Sequence, residues 1–140
     1  MHDTDISSQL SSEGWKQRDL PGFMGTAGPL WTRKEGHTWA YGLLVQAPHL
    51  NPAGSAHGGA LMTLVDHAVS AVAWEICQRK PCVTLQMDCH FYAAVQPGQF
   101  TEVRAKVTHQ TGSLVFASAV LTVKGEPVFR CQAILKKLSS

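Results

Sequence analysis

The amino-acid sequence predicts an α+β domain in which a curved antiparallel sheet wraps around one long, buried helix. Three observations carry that prediction. Between residues 58 and 77, Leu61, Leu64, Val65, Ala68, Val69, Val72 and Ile76 recur at helical spacing with no proline among them. A run that is apolar around most of its circumference is a buried helix, not a surface one. Two strand-like runs precede it and four follow it, with turn residues at regular intervals. A helix with so little polar surface must be covered, and a sheet curled around it is the simplest cover within one domain.

The elements follow in order. Residues 1–14 are rich in Ser and Asp and read as a frayed polar lead that favours local turns over a packed element. Residues 14–20 read as a short helical turn broken by Pro21-Gly22, which makes 1–21 a lead and 22–140 a single domain. Residues 29–34 and 37–46 read as strands flanking the hairpin-like break Glu35-Gly36. A loop over 48–55 contains Asn51, Pro52 and Gly54 and leads into the helix. After the helix, strands are expected at 82–92, 100–109, 114–123 and 128–138. Their separators are Gln96-Pro97-Gly98, Thr111-Gly112-Ser113 and Lys124-Gly125-Glu126. Regular turns of this kind predict an antiparallel meander.

Composition narrows the class. The 140 residues are 44% hydrophobic and 16% charged, with a formal charge of +2, a globular balance that argues against a nucleic-acid partner. No run is long and apolar enough for a membrane span, and the first residues lack the apolar stretch of a targeting signal, so a cytoplasmic protein is expected. Cys77, Cys82, Cys89 and Cys131 form no Cys-x-x-Cys pair and the seven histidines lack ligand spacing. The cysteines therefore read as packed, reduced thiols, with no metal site.

The chemistry-bearing stretch is Asn51, then His57-Gly58-Gly59, then Asp66. Aspartate is a mediocre helix former, and a carboxylate among Leu64, Val65, Ala68 and Val69 is costly to desolvate unless paired. Thr63, Asp66, His67 and Ser70 form a narrow polar stripe at i, i+3, i+4 and i+7. Such a stripe marks a polar cavity or interface, or a solvated strip where the helix is incompletely covered. Gly58-Gly59 allows close backbone approach where a helix presents unpaired N–H groups and its positive dipole end. Those groups suit an oxyanion, or the glycines serve only a tight turn. Ser55 lies outside Gly-x-Ser-x-Gly, so no nucleophile elbow is present. Residues 54–59 make no dinucleotide fingerprint.

This pattern, with Leu64-Val65 just before the aspartate, resembles the phenylacetate-type branch of the hotdog-fold acyl-CoA thioesterases over about residues 22–138. The resemblance implies Asp66 as general base or nucleophile and Gly58 as the N–H that polarises the thioester oxygen. It implies Asn51 near the thioester or attacking water and His57 as support for the turn. Thr84 matches one water-placing hydroxyl and Ser70 that of a sister branch. Gly59 and His67 are the expected substrate contacts. An acyl-CoA substrate, no cofactor, and a homodimer as the minimal unit, assembling as a homotetramer, are also implied. A hotdog hydratase or dehydratase using His57 or His67, and a non-catalytic acyl-CoA-binding module, are the alternatives. Arg79, Lys80, Arg104, Lys136 and Lys137 are unranked candidates for the CoA phosphates.

Overall fold

The computed structural model describes residues 3–138. Met1 and His2, where the expected lead begins, and Ser139 and Ser140, where the expected domain ends, lie outside the described residues. In chain order the elements are α1 (Asp3–Ser12), β1 (Lys16–Arg18), α2 (Phe23–Ala27), β2 (Leu30–Glu35), β3 (Thr38–Leu44), a 3-10 turn (Ala47–His49) and α3 (Gly58–Ile76). Then come β4 (Cys82–Phe91), β5 (Phe100–Gln110), β6 (Leu114–Val123) and β7 (Glu126–Lys137). The strands form one antiparallel sheet in the order β1-β2-β3-β5-β6-β7-β4.

The predicted central helix is α3. It buries Leu61, Leu64, Val65, Ala68, Val69 and Ala73 against the sheet. Along β6 burial alternates at period two, so Val115, Ala117, Ala119, Leu121 and Val123 point at the helix. Phe129 and Leu135 of β7 and Val103 of β5 complete the core. Leu64, Val65 and Val69 are almost fully buried, and each contributes about 1.5–3 kcal/mol by leaving water.

Three expectations are corrected. The polar lead contains α1, which is held by tertiary contacts that propensity does not reveal. Leu10 and Trp15 are buried with Trp31 and Ala40 in a second, smaller core, with Ile6 and Phe100 packed against it. The Trp15 ring meets Phe100 edge-on, centroids 4.9 Å apart, and carries the Arg33 guanidinium over its face at 4.6 Å. The expected helical turn over 14–20 is instead β1, because Lys16, Gln17 and Arg18 pair with Thr32, Trp31 and Leu30. Finally, the last four strands are not one sequential meander. β5, β6 and β7 are, but β4 pairs with β7 at the far edge and β3 takes the place beside β5. α3 separates β4 from the first hairpin, so β4 lands on the other side of the sheet.

Candidate active site

The approach to α3 is moored by polar groups of its own loop. Gln46 N–H donates to His49 Nδ1 at 3.0 Å, which assigns the ring proton to Nε2, where it donates to the Gly28 carbonyl at 3.1 Å. The His49 carbonyl then accepts the His57 N–H at 2.8 Å. Nothing in the spacing of His49 distinguished it from the six other histidines. Its buried position, mooring the helix start, emerges only from the fold. Asn51 holds the next turn: its Oδ1 accepts the Ala53 and Ser55 N–H groups at 2.9 and 3.2 Å, and its Nδ2 donates to Ser55 Oγ at 3.2 Å.

The two glycines serve different contacts. His57 is the N-cap of α3, its Nδ1 accepting the Gly59 N–H at 2.8 Å. A Cβ on Gly59 would lie 3.0 Å from that ring, so any larger residue there would push the capping imidazole aside by a few tenths of an ångström. A Cβ on Gly58 would lie 3.3 Å from the Phe91 ring of β4. With Gly59 committed to His57, the Gly58 N–H is left without a partner among the described residues. It sits at the positive end of a 19-residue helix.

The polar stripe sends its members to three places. Thr63 Oγ1 donates back to the Gly59 carbonyl at 2.8 Å. Asp66, half-buried, accepts at Oδ1 from Thr84 Oγ1 at 2.7 Å. Thr84 stands beside a register shift in β4 between Thr84 and Gln86, where the intervening Leu85 is exposed. A bulge of this kind re-aims side chains. No Lys or Arg pairs with Asp66 among the described residues. His67 turns to the other flank, edge-on to Tyr41 with centroids 5.2 Å apart. Burial lowers the His67 pKa, the Asp66 charge opposing it, and burial, followed by the Glu75 charge, raises that of Tyr41. Ser70 lines a cleft of about 620 Å³ with His67, Tyr41, Trp39 and Trp74. Of the two candidate hydroxyls, Thr84 is hydrogen-bonded to the carboxylate; Ser70 lines the cleft.

The structure therefore brings Asp66 and Thr84 together, and separately His57, Gly58 and Gly59. It does not join the two groups within one chain. Eight residues of helix separate Gly58 from Asp66, about 12 Å along the axis. Tyr41, Trp39, Trp74 and Phe91 carry no site signal in the sequence, because an aromatic side chain on a strand or a helix looks the same whether it lines a core or a cleft. Among the phosphate candidates, Arg104 is committed to Glu35 and Glu102 at 2.7–3.0 Å. Lys80, Lys136 and Lys137 line one cleft. All four cysteines are free thiols, with Cys77 and Cys82 sulfurs 3.5 Å apart. No group of three or more His, Cys, Asp or Glu side chains suited to a metal occurs among the described residues.

The chain is similar to known proteins in sequence and in fold. The family model described as "Thioesterase superfamily" matches residues 53–129, which span the end of the loop, α3, β4, β5, β6 and the start of β7. PA0474 of Pseudomonas aeruginosa, a candidate esterase, is 31% identical over 96 residues, covering 67% of this chain and 72% of that protein. A variant of the phenylacetic acid degradation protein PaaI from Thermus thermophilus superposes with a TM-score of 0.69 at 26% identity, over 83% of this chain and 98% of that one. A hypothetical thioesterase from Streptococcus pneumoniae, solved with coenzyme A, superposes with a TM-score of 0.73 at 21% identity, over 79% and 90% of the two chains. Since the family model covers more than half of the chain, and the sheet curled on α3 is the hotdog fold of the PaaI structure, this chain belongs to the hotdog-fold thioesterase superfamily.

Proposed function

We propose that this protein hydrolyses an acyl-CoA thioester to the free acid and CoA. The observation that carries the reading is the 2.7 Å bond from Thr84 to the half-buried Asp66 carboxylate. Thr84 fixes one carboxylate oxygen and leaves the other for a water molecule. Asp66 takes a proton from that water as it attacks the thioester carbon. The carbonyl oxygen becomes an oxyanion, held by the Gly58 N–H at the helix dipole. Collapse of the tetrahedral species breaks the C–S bond, and the thiolate leaves as CoA and takes up a proton. A thioester is activated enough for these groups to suffice. His57 positions Gly58 through the Gly59 cap, and Asn51 positions His57 through its loop. Direct attack by Asp66 is the variant in which the carboxylate itself forms the C–O bond.

One chain cannot bring Gly58 and Asp66 to the same carbon, so the site is shared between two copies related by a two-fold axis. The unpaired edge of β4 supports this. Val83, Leu85, Phe91 and Tyr92 are 41–56% exposed along it, and an exposed apolar edge is a template for another strand. Antiparallel pairing of two β4 edges sets the Thr84 end of one copy beside the Phe91 end of the other, where Gly58 lies. The coenzyme A bound to the pneumococcal structure supports the choice of thioester. Lys80 and Lys136 are suited to its phosphates, and beside them Lys137 Nζ is engaged by Gln110 and the Thr111 carbonyl. The hydratase alternative draws no support from the histidines: His57 Nδ1 is taken by Gly59, and His67 faces Tyr41.

The test is thiol release from a panel of acyl-CoAs without added metal or nucleotide. Asp66→Ala should remain folded and lose turnover by about a hundredfold or more. A wild-type protein that releases no thiol from aryl, short, medium or long acyl-CoAs overturns the proposal.

A further inference from the structure

Beside the Asp66–Thr84 pair lies a cleft that the hydrolytic chemistry does not use. Ser70, Ala71 and Trp74 of α3 form its floor. Trp39 and Tyr41 of β3, with Leu20 and Leu30, form one wall, and Pro81 and Cys82 the other. Its volume is about 620 Å³. Trp39 and Trp74 are 36% and 39% exposed there, an unusual display of indole surface unless something apolar covers it. His67 and Tyr41, edge-on with centroids 5.2 Å apart, line the cleft where it meets the helix.

Its position relative to the carboxylate is set by two independent measures. Ser70 is one helical turn beyond Asp66, about 6 Å along α3. Cys82 is two residues before Thr84 on the same strand, about 7 Å away. A water held by Asp66 attacks a carbon within about 3 Å of it. The first carbons of an acyl group on that carbonyl therefore reach the mouth of the cleft.

We infer that this cleft is the acyl subsite and that it selects apolar acyl groups larger than acetyl, with Ala71 and Trp74 as the residues that set their size. The inference rests on the thioesterase reading above. An aromatic ring and a medium straight chain offer the same chemistry to Trp39, Tyr41 and Trp74; the two charged side chains that line the cleft, Arg18 and Glu75, are of opposite sign, and Arg18 Nε already donates to Thr32 at 2.7 Å, so the aromatic surface sets the preference.

The experiment compares kcat/KM for acetyl-, octanoyl-, phenylacetyl- and succinyl-CoA in wild type, Ala71→Phe and Trp74→Ala. It also measures binding of the non-hydrolysable thioether S-octyl-CoA by calorimetry. Wild type should favour octanoyl or phenylacetyl over acetyl and succinyl, and the stronger of the two identifies chain or ring as the natural occupant. Ala71→Phe fills the cleft and should cut kcat/KM for the favoured substrate by about tenfold or more while acetyl changes little. It should weaken S-octyl-CoA binding in parallel. Trp74→Ala removes part of the floor, should also lower the favoured-to-acetyl ratio, and serves if Ala71→Phe fails to fold. If hydrolysis occurs but both variants change all substrates equally, the cleft is not the acyl subsite. If they instead change only the association state in sedimentation, the cleft is a contact between copies and the inference is likewise overturned. If no thioester is hydrolysed yet S-octyl-CoA binds wild type and not Ala71→Phe, the catalytic reading fails while the apolar subsite stands.

Discussion

Replacing Gly58 with proline isolates the proposed oxyanion donor. Gly58 is the first residue of α3, the position where proline is best tolerated because its N–H has no intrahelical partner. The residue before a proline must be extended, and His57 already lies at φ −63°, ψ 133°. Gly58→Pro thus deletes one N–H while asking little of the backbone. Its ring carbons approach Phe91, whose side chain is half exposed and packs edge-on to Phe129. Gly58→Ala is the matched control: its Cβ meets Phe91 at 3.3 Å, but the N–H survives. Loss of one oxyanion donor costs about 10²–10³ in kcat, so Gly58→Pro should fall by that factor and Gly58→Ala by far less. The assay is release of free CoA, read with a thiol reagent at saturating acyl-CoA, with circular dichroism to verify folding. The two-copy site adds a second reading. Gly58→Pro and Asp66→Ala chains, unfolded and refolded together, should form mixed dimers in about half of the population, each with one intact site. Activity should then recover to about a quarter of wild type. A folded Gly58→Pro protein within a few-fold of wild type, or differently tagged mixed dimers with no recovered activity, would refute the reasoning.

Other expectations follow from single contacts. Thr84→Val keeps shape but loses the 2.7 Å donor to Asp66, and should lower kcat by about tenfold or more, whereas Ser70→Ala should change kcat little; equal effects in steady-state kinetics would remove Thr84 from the site. Glu35 is held at a pKa of about 2, below its ordinary 4.5, first by the Arg104 hydrogen bond. Its pairing therefore stabilises the fold above the unfolded value and is lost as pH falls from about 4.5 to about 2. Arg104→Ala should cost about 1 kcal/mol near neutrality, a partly exposed network being screened, and the deficit should shrink in denaturant melts at low pH. Leu10→Ala, in the second small core, should destabilise by about 2–3 kcal/mol in a thermal melt; an unchanged Tm would mean that α1 is not packed in solution.

What the sequence revealed was set by range. α3 and the strand at 114–123 announce themselves because helix and strand periodicity are local, and the structure reproduces them almost residue for residue. Asp66 stood out because a carboxylate in an apolar run is a local anomaly. Its bond to Thr84 crosses 18 positions and depends on which strand lies beside the helix. Ser70, one turn away on the same helix, was locally as good a candidate. α1 was lost because its Ser- and Asp-rich composition describes a turn, while Leu10 and Trp15 find their partners only once β2 and β3 exist. The aromatic cleft was lost for a related reason: Trp39, Tyr41 and Trp74 come from two elements that sequence alone does not juxtapose.

The out-of-order place of β4 has a consequence for biosynthesis. Cys82 pairs with Lys137 and Phe91 with Phe129, so the strand bearing Thr84 waits for the final strand before its ladder can form. During synthesis β2, β3, α3, β5 and β6 can assemble as they emerge, but β7 must leave the ribosome before β4 docks. Closing so long a loop is slow relative to the local hairpins. Until then β4, with Val83, Leu85, Phe91 and Tyr92, is an apolar ribbon lacking both the sheet neighbour and the proposed twin. Ribosome-stalled chains cut short before β7 should bind trigger-type chaperones and hydrophobic dyes, and chains released with β7 complete should not.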